Sequence, residues 1–550
     1  MIIIKKMSFL NKKSVKITIL ALLAVILLSL PFLIKGLGFI ALFSFVPIFY
    51  LDTYLREHKI KRPWWIIFCI FFTWNLVTTY WIKNATLAGA IVAIIANAFQ
   101  MSLIYALFRL FRKKMEEVRG ASKSSLLPYV FFIMTWLTWE HIYFNVQISW
   151  PWLTLGNAFA GSIKMIQWYD ITGTLGGSFW ILLTSVATYR IIKFRDQLRM
   201  QGLIAFLLLI FGPLIYSSIK YKHYKEIQDP REVVALQPNI DPYHDKFIGM
   251  SREEQDALLL AQCENTVTDS TLFVVSPETF TSHINEDHPL SFITSRRVEN
   301  FVKRHKNVNF LLGAISVKFY PWNKYKDSTE EHSPTLTAKK MQGYWYDTYN
   351  SAFLFNDLSE ESHVQRYHKS KLVVLAEFVP YPKLLKPLNK LAIKLGGTTG
   401  SYATQKEVSV MEANDGTKIG TAICYESVYG DYYRQYVNKG AQIMAIMTND
   451  GWWGNTPGYH QHFRYASLRA IETRRSIIRS ANTGISALIN QRGDVIMRTK
   501  WWKKDVLRGN LNLNNKMTIY VENGDIIGRA AAFIFALFSL LLLSQFFYKK

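Results

Sequence analysis

Along the first 220 residues apolar positions run together in long stretches, whereas from about residue 221 they fall in short runs broken by polar ones. A hydrocarbon slab of about 30 Å takes roughly 20 helical residues. Stretches suited to it lie near Ile17 to Ile34, Leu37 to Leu51, Pro63 to Ile82, Ala85 to Phe108, Leu126 to Ile142, Gln167 to Ile191 and Leu203 to Tyr216, with an eighth, Ile526 to Phe547, at the end of the chain. The pattern predicts eight membrane-spanning helices, of which the second and seventh are the shortest.

Basic residues crowd alternate connections. Lys5, Lys6, Lys12, Lys13 and Lys16 precede the first stretch, Arg56, Lys59, Lys61 and Arg62 follow the second, Arg109, Arg112, Lys113, Lys114 and Arg119 follow the fourth, and Arg190, Lys193, Arg195 and Arg199 follow the sixth. The other short connections hold little more than Lys35, Lys83 and Lys164. Basic loops stay in the cytoplasm, so the expected topology has both termini inside and the region from about Lys220 to Asp525 outside. The first stretch resembles a signal peptide, but no small-residue cleavage site follows it and further spans do, so an uncleaved helix is expected.

The outer region shows β-rich runs at Val233 to Leu236, Leu272 to Val275, Phe310 to Ile315, Ala352 to Phe355, Ile419 to Cys424, Ile443 to Met447 and Ile485 to Ile489. Helical patterns lie between them, notably Ser251 to Val267 and Tyr459 to Arg475. Strands alternating with helices over this length predict one layered α/β domain. The expected division is therefore 1–220 for seven helices, 221–520 for the α/β domain and 521–550 for the last helix.

Composition sharpens this picture. The 550 residues are 50% hydrophobic and carry 64 Lys+Arg against 40 Asp+Glu, a formal net charge of +24. One soluble domain is excluded by length and by the apolar runs. The basic excess sits in membrane-flanking loops rather than on one face, so it reads as topology and not as a nucleic-acid surface. The three cysteines, Cys69, Cys263 and Cys424, make no disulfide framework, and Cys69 falls within a lipid-buried stretch.

Three apolar runs of the outer region end on a chemically capable residue: Glu278 in VVSPETF, Lys369 in YHKSKLVV and Cys424 in IGTAICYES. A carboxylate, an ammonium and a thiol from separate strands could serve as base, oxyanion stabiliser and nucleophile in covalent acyl transfer. Taken singly, each has a plainer reading: a solvated turn for Glu278, a charged face for Lys369, a small buried apolar residue for Cys424. Cys263, within the helical pattern REEQDALLLAQCENTV, reads as such a core residue.

Read jointly, SPET, Y-x-K-x-x-L and ICYE occur in the order and with the flanks that resemble the nitrilase superfamily, and the membrane spans narrow the resemblance to its apolipoprotein N-acyltransferase branch. Further stretches that resemble this family are WPWLTLGNAFA (Trp150 to Ala160), QWYDITGTLG (Gln167 to Gly176), ALQPNI (Ala235 to Ile240), YNSA (Tyr349 to Ala352), NDGWWG (Asn449 to Gly454), His460 to Ala487, and the Gly-Asp before the last span. The resemblance implies an eight-helix transmembrane bundle carrying an extracytoplasmic αββα sandwich. It implies Glu278 as general base, Lys369 as oxyanion stabiliser and Cys424 as the nucleophile that becomes a thioester, with Glu377, Tyr425 and Glu426 in support. For Glu377 and Glu426 two roles stay open, an ion pair orienting Lys369 or a direct catalytic part. The chain departs from the family pattern at Val374, Leu375 and Ala376, and the aromatic position after QPNI falls to Phe247; both bear on acyl-donor preference.

The implied reaction takes an acyl chain from a membrane phospholipid and gives it to the α-amine of the diacylglyceryl-cysteine of an apolipoprotein, in the bacterial inner membrane with the catalytic domain on the periplasmic side. A monomer is expected, with no nucleic-acid partner and no cofactor. No metal is implied, because His460 and His462, two residues apart, point to different helix faces. Trp452 and Trp453, with Phe247, are candidates for substrate or lipid contact, and Tyr459 and the run Tyr344, Trp345 and Tyr346 read as loop aromatics. Two rival readings are a membrane-anchored amidase that surrenders its thioester to water, opposed by the motifs of the membrane half, and a transporter with a degenerate outer domain, opposed by the intact Glu-Lys-Cys set.

Overall fold

The computed structural model describes residues 2–119, 125–197, 199–242, 244, 249–325, 328, 333–361, 364–381 and 402–547. The chain forms two compact units, one of residues 1–80, 90–223 and 523–550, the other of residues 81–89 and 224–522.

The first unit is helical: α1 (Ile2–Leu33), α2 (Val46–Glu57), α3 (Pro63–Thr79), α4 (Leu87–Arg119), α5 (Leu127–Tyr143), α6 (Tyr169–Lys193), α7 (Met200–His223) and the terminal helix Ile526–Phe547. Among the described residues seven segments are long and apolar enough to cross a membrane. Helix α5 is apolar but has 17 residues, about 25 Å at 1.5 Å per residue, and so is not one of the seven. The second segment is a 3-10 turn, Leu37–Phe43, leading into α2, and together they reach 21 residues. Helix α7, read from sequence as short, runs 24 residues. Helix α4 runs to Arg119, well past the end of its apolar run, because its charged turns keep helical spacing, Lys113 standing 3.6 Å from Glu117.

Lipid offers polar groups no partner, so they pair inside this unit. Asn97 donates to Asn75 Oδ1 at 3.3 Å, Tyr143 donates to Asn97 Oδ1 at 2.6 Å, and Ser185 donates to the Leu42 carbonyl at 2.8 Å. Apolar side chains also face outward: Ile204, Leu208, Phe211 and Ile215 on α7 are all exposed.

Among the described residues the second unit holds fourteen strands. Those of the first sheet are β1 (Pro230–Gln237), β2 (Thr271–Val275), β3 (Thr281–Asn285), β4 (Asn309–Phe319), β5 (Lys339–Met341), β6 (Tyr344–Phe355) and β7 (Gln365–His368). The second sheet runs β8 (Val410–Glu412), β9 (Lys418–Ile423), β10 (Ile443–Thr448), β11 (Ile477–Ala481), β12 (Ala487–Ile489) and β13 (Val495–Arg498), and β14 (Asp505–Asn512) returns antiparallel to β1. Strands β1, β2 and β4 are mutually parallel, as are β9, β10 and β11.

The period of two along a strand divides the core. Val233, Ala235, Phe273, Val275 and Leu311 join one cluster with Ala422, Met444 and Ala445 of the second sheet, while Val234, Leu236, Val274, Phe310 and Leu312 face Leu259, Cys263, Val298 and Phe301 on two helices, Arg252–Glu264 and Ile293–Arg304. Helices Gly430–Asn438 and Pro457–Thr473 supply Tyr433, Tyr436, Phe463 and Ala466 to the first cluster. Helix, sheet, sheet, helix is the αββα sandwich. Its helix Arg252–Glu264 starts where the sequence dictates: Ser251 Oγ accepts from the Glu254 N–H, and the Glu254 carboxylate accepts from the Ser251 N–H at 2.8 Å.

Candidate active site

Three strand ends of the sandwich converge. Glu278 follows β2, Lys369 follows β7, and Cys424 follows β9 of the other sheet. The turn carrying Glu278 lies so close to β4 that a Cβ on Gly313 would stand 2.2 Å from the Pro277 carbonyl oxygen. Only glycine lets the two backbones approach this closely. The Gly313 N–H then donates to Ser276 Oγ at 3.0 Å, which fixes the turn.

Lys369 is buried, and its ammonium donates to Glu278 Oε1 at 2.9 Å and to Glu377 Oε1 at 2.8 Å. Asn350 bridges the same two oxygens at 2.8 and 3.3 Å, and its carbonyl receives the Lys369 N–H at 2.8 Å. Burial works against the charge on Lys369, but Glu278 and Glu377 outweigh it and hold the ammonium well above its ordinary range. Lys369 is therefore a permanent cation. The second oxygen of Glu377 accepts from the Val373 N–H at 2.7 Å, so this acid also shapes the loop after the lysine.

Cys424 is buried at the first position of a 3-10 turn, with φ at +52°, in the left-handed region. A non-glycine residue there costs roughly 1 to 3 kcal/mol and persists only where its surroundings hold it. They do so here. The Cys424 carbonyl accepts from Ser427 Oγ at 2.7 Å and lies 3.1 Å from His462 Nε2, and Glu426 accepts from the Ile423 N–H at 2.8 Å. Burial first, then the Glu278 charge, push the Cys424 thiol well above its ordinary range, while Lys369 and the Thr448 hydroxyl pull it down. The resting group is a neutral thiol beside a carboxylate and an ammonium.

Glu426 does not pair with the Lys369 ammonium. Its Oε1 accepts from the Ser370 N–H at 2.7 Å and from Tyr367 at 2.6 Å, so it ties the cysteine turn to the lysine loop through backbone. Tyr425 is buried with its ring edge-on to Tyr429 at 5.1 Å. Trp452 and Trp453 are half-buried, Trp453 lying 5.0 Å from the Trp81 ring and 5.3 Å from His462. Trp345 and Tyr459, read from sequence as loop aromatics, are buried packing residues, Tyr459 stacked 4.0 Å from Trp501; Tyr344 is exposed. Phe247 lies outside the described residues. Cys263 is buried in a helix and its thiol is pushed up by burial, as expected of a core cysteine.

Behind the cysteine turn stands a group whose members lie in the family-like stretches Asn449 to Gly454 and His460 to Ala487 but are given no role by the sequence. His462 Nδ1 lies 3.0 Å from Asp450 Oδ1, Arg479 donates to Asp450 Oδ2 at 2.8 Å, and all three side chains are fully buried. Nε2 faces the Cys424 carbonyl and, at 2.9 Å, Ser427 Oγ, whose own hydrogen goes to that carbonyl. Both neighbours accept, so Nε2 carries a hydrogen. Burial opposes ionisation of Asp450, but Arg479 and His462 prevail and lower it to about 2. The available signal was Arg479 itself, a charge within the wholly buried strand IIRSA.

Residues 24–187 match the family model for the apolipoprotein N-acyltransferase N-terminal domain, and residues 250–516 match carbon-nitrogen hydrolase. The apolipoprotein N-acyltransferase of Chlorobaculum tepidum is 30% identical over 482 residues, spanning 85% of this chain and 84% of its own. The chain belongs to the apolipoprotein N-acyltransferase family. The relative in Geobacter metallireducens is 26% identical over 520 residues, covering 93% of this chain and 92% of its own, and that in Thermotoga maritima is 23% identical over 514 residues, covering 90% and 88%. As a family member this protein is a membrane-bound acyltransferase, built from a helical bundle and a nitrilase-like sandwich.

Proposed function

We propose that this acyltransferase moves an acyl chain from a membrane phospholipid, through a thioester on Cys424, to the α-amine of the N-terminal diacylglyceryl-cysteine of apolipoproteins. The observation that carries the reading is the buried Lys369 held between Glu278 and Glu377, with the Cys424 thiol within their field. Glu278 takes the thiol proton as Cys424 attacks the ester carbonyl. Lys369, a fixed cation, meets the oxygen that becomes negative. Collapse breaks the ester C–O bond, the proton on Glu278 passes to the departing glycerol oxygen, and lyso-phospholipid leaves. The acceptor amine then attacks the thioester, Glu278 takes its proton, and the thiolate departs to be reprotonated. Glu377 and Asn350 position Lys369 and Glu278, and Glu426 and Tyr425 hold the turn.

The same reading assigns residues 1–220 and 521–550 to eight spans and 221–520 to a catalytic domain on the periplasmic side of the inner membrane, in a monomer. The alternating basic loops support it. Contacts within the helical unit add support: Lys16 lies 4.7 Å over the Tyr54 ring, Arg56 pairs with Glu116 at 2.8 Å and Lys193 with Glu57 at 3.0 Å, gathering Lys16 of α1 and the basic ends of α2, α4 and α6 together. Trp452 and Trp453 contact substrate or lipid at the mouth of the site in this reading.

Intact mass measurement of the protein in phospholipid membranes tests the chemistry. An acyl adduct on Cys424 that is discharged as an amide when a diacylglyceryl-cysteine peptide is added is the expected result, and discharge as free fatty acid without acceptor would make the protein a hydrolase. Reporters fused near Lys220 to Glu226 and after Lys550 test the topology, the first registering outside and the second inside.

A further inference from the structure

Helices α2 and α4 of the bundle end in a cavity of about 290 Å³ lined by Arg56, Arg109, Leu110, Arg112, Lys113 and Glu116. Four cations share this wall with one carboxylate. Two of them are committed: Arg56 Nη2 donates to both Glu116 carboxylate oxygens, at 2.8 and 2.9 Å, and Arg112 pairs with the buried Asp52. The Arg112 guanidinium also lies 4.1 Å from the Phe108 ring centre and 5.1 Å from that of Tyr129, which fixes its plane.

The other two are weakly engaged. Asp52 already accepts from Tyr105 at 2.6 Å and from Arg112, so Arg109 reaches it only at 3.7 Å and the Tyr105 hydroxyl at 3.4 Å. Lys113 reaches Glu117 at 3.6 Å, with both side chains solvent-exposed. Even with Asp52, Glu116 and Glu117 all counted, the group keeps a net positive charge. Fixed guanidinium planes beside a mobile ammonium suit the oxygens of a phosphate.

The cavity also has an apolar approach. Phe99, Leu103, Leu107 and Leu110 on α4 are exposed at intervals of four, four and three residues, one stripe of the helix that ends in the cavity wall at Leu110. On a membrane-spanning helix such a stripe faces acyl chains. A free phosphate has no use for it, whereas an anionic phospholipid uses both parts at once, its headgroup in the basic cavity and its chains along α4.

We propose that the α2–α4 cavity is a binding site for an anionic phospholipid, its lining belonging to the first unit and the groups around Cys424 to the second. It depends on no step of the acyl transfer. The test uses the full-length protein in nanodiscs of phosphatidylcholine with a minor fraction of phosphatidylglycerol, released and weighed by native mass spectrometry. Arg109→Gln combined with Lys113→Gln spares the Arg56–Glu116 and Arg112–Asp52 pairs, and should lower retained phosphatidylglycerol about tenfold, since removing two charged contacts to a phosphate exceeds one decade of affinity. Lys59→Gln with Lys61→Gln, an equal charge change outside the cavity, should retain the parent amount. Melting in phosphatidylcholine alone, equal for parent and Arg109/Lys113 variant, shows that the fold is kept, and the rise in melting temperature with phosphatidylglycerol should be confined to the parent. Equal retention by parent and cavity variant overturns the site. Displacement of the lipid by inorganic phosphate overturns the lipid and leaves an ion site.

Discussion

Cys424 is held from two sides that are built on opposite plans. Around its thiol, one cation stands between two carboxylates with an amide bridging them, so Lys369, Glu278, Glu377 and Asn350 form a group with a net negative charge and a proton-accepting edge. Behind its carbonyl, Arg479, Asp450 and His462 form a chain in which the carboxylate is matched by the arginine and an imidazole N–H is aimed at Cys424 and Ser427. The thiol side has spare charge to lend to a reaction. The carbonyl side pairs its charges internally, so that Asp450 is only the least of the influences that raise the thiol, and it supplies rigidity, which a residue at φ +52° needs. Side chains of similar type thus do different work according to whether their charges are left open or closed.

The largest effect should come from the atom both sides serve. Cys424→Ala removes the acyl adduct altogether, while Cys69→Ala and Cys263→Ala leave it intact, as read by intact mass after incubation with phospholipid. An adduct persisting in Cys424→Ala places the nucleophile elsewhere.

Next comes the thiol side. Lys369→Met should lower single-turnover acylation by at least the ~10² to 10³ typical of a lost oxyanion donor. Lys369→Arg keeps the charge but brings a planar, bulkier fork into a pocket shaped for an ammonium between Glu278 and Glu377, so it should not recover the rate. Recovery by arginine would reduce Lys369 to a general source of positive potential.

The carbonyl side should count for less, through geometry alone. Removing the His462 ring frees the strained turn, and misplacement of a reacting atom by about 1 Å costs on the order of 10²-fold. His462→Ala should therefore slow acylation by up to that factor with phospholipid affinity unchanged. His462→Gln, which can still donate to the Cys424 carbonyl, should restore part of the rate. Unchanged acylation in His462→Ala would leave Ser427 as sufficient support for the turn.

The two sides also differ in how far the sequence reveals them. Glu278, Lys369 and Cys424 each stand at the end of an apolar run, where a polar residue is conspicuous, and their order along the chain carries a family pattern. The sequence left Glu377 and Glu426 with the same pair of roles, and geometry separates them: Glu377 pairs with the lysine side chain, Glu426 with the backbone after it. The sequence shows His462 beside His460 and within the family-like stretch His460 to Ala487 but gives it no role at Cys424, because its partners lie 12 and 17 residues away and meet it only in the folded sandwich. Strand β11, which brings Arg479, is short and half polar and was not among the strands expected. Trp345 and Tyr459 differ from the loop aromatics expected for a related reason: a run such as Tyr344, Trp345 and Tyr346 does not show which ring faces inward until the strand register is set, and Trp345 is the one buried.

The smallest effect is a shift along the pH axis, and it separates two substitutions that should both slow transfer. Burial raises the Cys424 thiol above its ordinary range, the negative Glu278 raises it further, and the positive Lys369 lowers it. Glu278→Gln deletes a raising contribution, so the thiolate forms at lower pH than in the parent. Lys369→Met deletes a lowering contribution, so the thiolate forms at higher pH still. The rate of alkylation of Cys424 by iodoacetamide, followed against pH in full-length Cys69→Ala/Cys263→Ala protein, reports the thiolate directly. Its midpoint should move down in Glu278→Gln and up in Lys369→Met, and in His462→Ala it should stay near the parent value, since His462 meets the Cys424 carbonyl. Midpoints moving in one direction for both thiol-side variants would mean that burial alone governs the thiol, and the division of Cys424 into a charge-lending side and a rigid side would fail.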